Sequence, residues 1–230
     1  MNVKNKKKGA MIGAMLISAS VITACGTGNT AKVSQNAGTE EMAQLGSILD
    51  QNPVFQEDTE EALYAVDDDI VITQAEMDWK IKANEVLNLA DPEETAYESL
   101  SKLKSEYAYA SEAGYQCTDE EIEENLQAIR ELYQSIQDGE EVGNAEEAMA
   151  LIEASGGIDA YCDKIRDIFG KELVVKKFYL DQKKEFEAAL DESIDTNEAE
   201  ELWAEEQEKI SKEIVEKEHI HKIAETGAAD

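Results

Sequence analysis

Thr118-Asp119-Glu120-Glu121-Ile122-Glu123-Glu124-Asn125-Leu126-Gln127-Ala128-Ile129-Arg130-Glu131-Leu132-Tyr133-Gln134-Ser135-Ile136 is the stretch that decides the fold class. Ile122, Leu126, Ile129, Tyr133 and Ile136 recur three or four residues apart, so a helix places them on one stripe and turns most carboxylates to the other side. Thr118 with Glu121 three residues on is a capping box. The hydroxyl accepts from one orphan backbone N–H at the helix start, and the carboxylate reaches back to another.

The same grammar repeats on both sides. Thr73 with Glu76 opens a helix expected to reach about Ala90, with Met77, Ile81 and Val86 as apolar positions. Asp91-Pro92-Glu93-Glu94 repeats the device with proline where a first turn tolerates it, for a helix carrying Leu100, Leu103, Tyr107 and Ala110 that stops at Gly114. Downstream, Asn144 and Glu147 open a short helix with Met149, Leu151 and Ile152, closed by Gly156-Gly157. A longer one runs from about Asp159 to Leu190, with a break at Gly170 left open, through Tyr161, Ile165, Phe169, Val174, Phe178 and Phe186. The last is expected from about Glu198 to Ile223, with Leu202, Trp203, Ile210 and Ile214. Ahead of all these, Leu63-Tyr64-Ala65-Val66 and Ile70-Val71-Ile72 flank three aspartates and read as a small hairpin or an extended lead-in. The expected fold is all-α, with about six helices behind that lead-in.

At the N-terminus Lys4, Lys6, Lys7 and Lys8 precede an apolar run from about Ala10 to Val21 that is too short to span a bilayer. Ile22-Thr23-Ala24-Cys25 resembles the lipobox of bacterial lipoproteins, in which cleavage between Ala24 and Cys25 follows transfer of diacylglycerol to the cysteine thiol. Residues 1–24 are therefore expected as a signal peptide and Cys25 as a lipid anchor. Two acyl chains, at about 0.8 kcal/mol per buried methylene, would make the attachment permanent. Residues 25–58 are rich in Gly, Thr, Asn, Ser and Gln and read as a flexible tether with a reach of about 30 Å. Within it Leu45, Ile48 and Leu49 offer material for one short helix. Residues 59–190 are expected as the helical domain and 191–230 as a helical arm packing on it.

The chain carries 21 basic and 52 acidic side chains. Removing the four leader lysines leaves 17 against 52, a net charge of −35. Nucleic acid is excluded as a partner, and anionic head groups would repel the body from the membrane surface. Carboxylate pairs such as Glu120-Glu121 and Glu123-Glu124 are what so many acids produce by chance and read as solvated surface.

Chemistry-bearing motifs are sparse. No phosphate-cradling glycine loop or dinucleotide fingerprint occurs, so neither nucleotide chemistry nor a cofactor is expected. The histidines are His219 and His221, which a helix would point to different sides; no metal site and no Ser–His or Cys–His nucleophile pair is expected from them. Beyond Cys25 the cysteines are Cys117 and Cys162, for which one disulfide or two small buried hydrophobes are both open. Tyr97, Tyr107, Tyr109 and Tyr115 concentrate around one helix and its exit. Helical spacing makes some of them core, while others can offer amphipathic contact to an extended peptide.

The run Ala65-Val66-Asp67-Asp68-Asp69-Ile70-Val71-Ile72-Thr73-Gln74-Ala75-Glu76-Met77 resembles the N-terminal lead-in of SurA-like and PrsA-like chaperones, where a short apolar segment, a polar turn and an isoleucine-threonine cap lead into the first helix. The helix ending in Ala113-Gly114-Tyr115, followed by Cys117-Thr118-Asp119-Glu120-Glu121-Ile122, is similar to that family's join of two helices, and the helix from Ile158 to Phe186 extends the likeness to about Ala65 to Leu190. One departure is Asp67-Asp68 where the family usually has Asn-Gly. Another is that only Asp191 to Asn197 separates the last two helices, which leaves no room for the family's parvulin-type isomerase domain.

The resemblance implies an ATP-independent holdase for unfolded or newly secreted polypeptides, without enzymatic activity. It would stand on the outer face of the single membrane of a Gram-positive cell, with the last helix returning as an arm. Tyr107, Tyr109, Tyr115, Met149 and Phe169 are the expected peptide contacts. A helical lipoprotein that binds one dedicated envelope partner is the rival reading, and monomer and homodimer both stay open.

Overall fold

The computed structural model describes residues 37–54, 63–67, 70–191 and 194–223. The signal peptide, the Ala24/Cys25 cleavage and lipidation site, the first part of the expected tether, and Asp68 of the hairpin turn lie outside these residues. The described chain is mainly helical, as expected, with seven helices and a small sheet. In chain order these are α1 (Thr39–Ile48), β1 (Leu63–Val66), β2 (Val71–Thr73), α2 (Gln74–Val86), α3 (Pro92–Glu112), α4 (Asp119–Gln137), α5 (Ala145–Ala154), α6 (Ile158–Ala189), α7 (Thr196–Glu218) and β3 (His221–Lys222).

Both capping boxes form. Thr73 Oγ1 accepts from the Glu76 N–H and the Glu76 carboxylate accepts from the Thr73 N–H at 2.8 Å; Thr118 and Glu121 do the same for α4. The buried Glu76 carboxylate also pairs with Lys104 Nζ at 2.6 Å, and that ammonium donates to the Val71 carbonyl at 2.6 Å. One acidic side chain thus joins the sheet, α2 and α3. Two expected caps fail. Asp91 and Asn144 sit at φ 47° and 59° and their side chains do not cap; the backbone turns there in the left-handed region that Asp and Asn tolerate, and Pro92 alone pre-sets the first turn of α3.

The largest correction concerns the expected tether. Residues 37–54 belong to the folded body: Met42, Leu45 and Leu49 are at most 2% exposed, and α1 lies along α5. Gly46 permits this, because a Cβ there would overlap the Leu151 carbonyl. Trp79 Nε1 then donates to the Ile48 carbonyl at 3.0 Å, satisfying the end of α1 from α2.

Gly170 does not break α6, which runs unbroken for 32 residues, about 48 Å. Its missing side chain admits Ile122 of α4, whose Cδ1 would stand 2.8 Å from a Cβ there. The last helix also ends earlier than expected. His219 turns the chain at φ 50°, and His221 and Lys222 pair antiparallel with β1, giving the sheet order β2-β1-β3. Tyr97 on α3 donates to the Ile220 carbonyl at 3.1 Å, and Lys222 pairs with Glu94 at 2.9 Å. These contacts clasp the C-terminal strand to the start of α3.

Two apolar clusters result. The body core takes residues from α1 through the first half of α6, and the second gathers Ala110 of α3, Val174, Val175, Phe178 and Tyr179 of α6, and Trp203 and Ile214 of α7. The long helices α3 and α6 run from one into the other, so the second half of α6 with α7 forms an arm on the body.

Candidate functional site

The arm holds the described molecule's densest group of aromatic side chains, and local rules explain how it is assembled. Gly114, at φ 91°, ends α3 in a Schellman turn: the Tyr115 N–H returns to the Ala110 carbonyl and the Gly114 N–H to the Ser111 carbonyl, both at 3.0 Å. That turn folds Tyr115 back onto α6. Phe178 stands at the centre, with Tyr109 and Tyr115 meeting it edge to face at 5.5 and 5.8 Å between ring centroids and Tyr179 tilted at 5.0 Å. Such edge-to-face pairs set the positive rim of one ring against the negative face of another. Farther along, Phe186 packs on Trp203 at 5.7 Å.

Polar contacts fix the framework around these rings. The buried Tyr179 hydroxyl donates to Glu106 Oε1 at 2.6 Å, and Lys102 Nζ lies 3.8 Å from the same oxygen. Lys177 of α6 donates to the Gln116 carbonyl at 2.7 Å and to Glu121 at 2.6 Å, pinning the cap of α4 beside the arm. The Lys177 hydrogen bond, helped by the Thr118 N–H, holds the Glu121 carboxyl below the usual carboxylate range. The Tyr115 hydroxyl faces Asp181 at 3.4 Å; partial burial, and then the charges of Asp181 and Glu185, push that phenol above its ordinary value.

Of the five expected peptide contacts, Tyr107, Tyr109 and Tyr115 gather on this arm, each half-buried. Phe169 packs against the body core and Met149 lies half-buried on α5, so the five do not make one surface. α3 and α6 each contribute to both clusters, and only the part of each that lies beyond the body core reaches the arm. Sequence reasoning placed Phe178, Phe186 and Trp203 on helices without seeing that they meet. The signal for it was the concentration of aromatics at 107–115, 178–186 and 203.

Cys117 and Cys162 are both free thiols; Cys117 packs against the arm cluster and Cys162 is buried in the body, so the disulfide alternative does not form. Burial pushes the Cys162 thiol up to about 11, which keeps it protonated and inert. His219 and His221 are exposed at the helix end and in β3. Among the described residues no cluster of His, Cys, Asp or Glu is arranged to hold a metal ion, and no helix is long and apolar enough to cross a membrane. No protein-family model, curated protein or solved structure matches the chain.

Proposed function

We propose that the mature protein is a lipid-anchored, ATP-independent holdase of the cell envelope, and that the aromatic arm is where it takes up extended polypeptide. The observation that carries this reading is the half-exposed pair Tyr109 and Tyr115 seated on the buried Phe178. Rigid rings with a polar tip offer large contact area at low entropy cost and suit clients of varied sequence. A second observation agrees with the resemblance to SurA-like and PrsA-like chaperones: α7 turns back onto α3 and β3 joins β1, as a returning C-terminal arm requires. The strongly acidic exterior would keep a loaded complex soluble.

The test uses the chain from residue 25 with Cys25→Ser, so that no lipid confuses the readout. Light scattering of two unrelated aggregating proteins is followed with and without it, alongside isomerisation of a short proline peptide. Suppressed aggregation without isomerisation supports the holdase. If neither activity is seen the reading fails, and crosslinking in the membrane should then search for one dedicated envelope partner.

A further inference from the structure

Three tyrosines of α3 carry a lysine ammonium over the ring: Lys222 over Tyr97 at 4.4 Å, Lys171 over Tyr107 at 4.7 Å and Lys217 over Tyr109 at 5.0 Å. In a mature chain with 52 acids and 17 basic groups, lysines could settle on carboxylates almost anywhere, yet three lie on rings. The three are not alike. Lys222 is also held by Glu94 at 2.9 Å, and Lys171 donates to the Tyr107 hydroxyl at 2.9 Å. Lys217 is exposed in the last turn of α7 and, among the described residues, makes no ion pair; the Tyr109 face is what it rests on. An exposed cation–π contact contributes only about 0.5–1 kcal/mol, so this one opens readily.

The Tyr109 ring shares Phe178 with Tyr115, whose hydroxyl faces Asp181, a half-exposed carboxylate already paired with the exposed Lys184 at 2.7 Å. An aromatic face in a strongly negative field is what a guanidinium or ammonium seeks, because the ring quadrupole attracts the cation and few basic groups compete for it. We propose that the Tyr109 face is a cation seat for the bound polypeptide, that preferred segments carry arginine or lysine beside apolar residues, and that Lys217 occupies this seat until a client displaces it. The inference rests on the arm being the peptide-binding surface.

The experiment measures binding of short labelled peptides of identical leucine and tyrosine content that carry arginine, glutamine or glutamate at the same positions, by anisotropy at about 0.15 M salt, where long-range attraction is screened beyond about 8 Å. The protein is the chain from residue 25 with Cys25→Ser. The arginine peptide should bind best and the glutamate peptide worst. Lys217→Ala should tighten the arginine peptide by about two- to fivefold and leave the glutamine peptide unchanged. Tyr109→Leu, checked for an intact thermal transition, should erase most of the arginine preference without altering net charge.

An arginine preference that survives Tyr109→Leu would show that net charge alone selects, and would overturn the seat. A Lys217→Ala variant that binds the arginine peptide no tighter would overturn it too, and decides the matter if Tyr109→Leu does not fold. Suppressed aggregation with equal binding of all three peptides removes the cation seat and leaves the holdase standing. No peptide binding together with no suppression removes both.

Discussion

The body and the arm share two helices but are built on different principles. The body core draws on eight elements, from α1 and the two hairpin strands to the first half of α6, and is largely aliphatic. Its tolerances are tight: Gly46 against Leu151 and Gly170 against Ile122 leave no space for one added carbon. Among the described residues the arm has only seven buried side chains in its cluster, four of them aromatic or β-branched residues of α6, with half-exposed tyrosines around them. Wide burial from many directions makes a scaffold; a few rings on three helices make a surface that keeps one side toward solvent.

The largest effect should come from removing α1. A chain beginning at Thr59 uncovers Leu151, Ile152 and Trp79 together, and should lose its cooperative thermal transition by circular dichroism. Retention of that transition would mean that α1 decorates the body and does not build it.

Trp203→Ala should cost about 3–5 kcal/mol of arm packing. Hydrogen exchange should speed up in α7 and β3 while amides of α4 and α5 keep their protection. Equal loss in both places would make body and arm one cooperative unit and erase the comparison.

Gly46→Ala drives a Cβ into the Leu151 carbonyl and should cost about 1–3 kcal/mol, read as a lowered urea midpoint. The same substitution at Gly139, where nothing lies within 4 Å, meets no neighbour, although its φ of 86° carries a backbone cost of its own.

The smallest effect is the pH dependence of the join between α4 and the arm. The folded Glu121 carboxyl titrates below its unfolded value of about 4.3, so its contribution is fully present above that pH and is lost as pH falls through the lower folded value. Glu121→Gln should slightly lower the neutral plateau of a stability–pH curve and flatten its acid limb, leaving stability below the folded titration unchanged; an unaltered curve would mean that Lys177 does not hold this carboxylate in solution.

Much of the scaffold was legible beforehand. Thr73/Glu76 and Thr118/Glu121 were readable as caps because each box closes within four residues, and the α4 stripe because helical period is a local property. The short helix offered by Leu45, Ile48 and Leu49 forms as α1, but its place in the core was not legible: four apolar residues among Gly, Ser and Gln look like a tether until α5 is beside them. The candidate site was legible by half. Tyr107, Tyr109 and Tyr115 stood out through composition, whereas Phe169 and Met149 were drawn in by residue type alone and fell elsewhere.

What the sequence by itself determined is the helical class, the starts of α2 and α4, and the glycine stops at Gly114 and Gly156-Gly157, since hydrogen bonds between near neighbours decide them. Only the tertiary structure decided that α1 is core, that His221 and Lys222 add a third strand and that Tyr109, Tyr115 and Phe178 form one surface. Those outcomes depend on partners far apart in the chain, 31 residues from Trp79 to Ile48 and 123 from Tyr97 to Ile220, and no local pattern records which distant partner an apolar or aromatic side chain will meet.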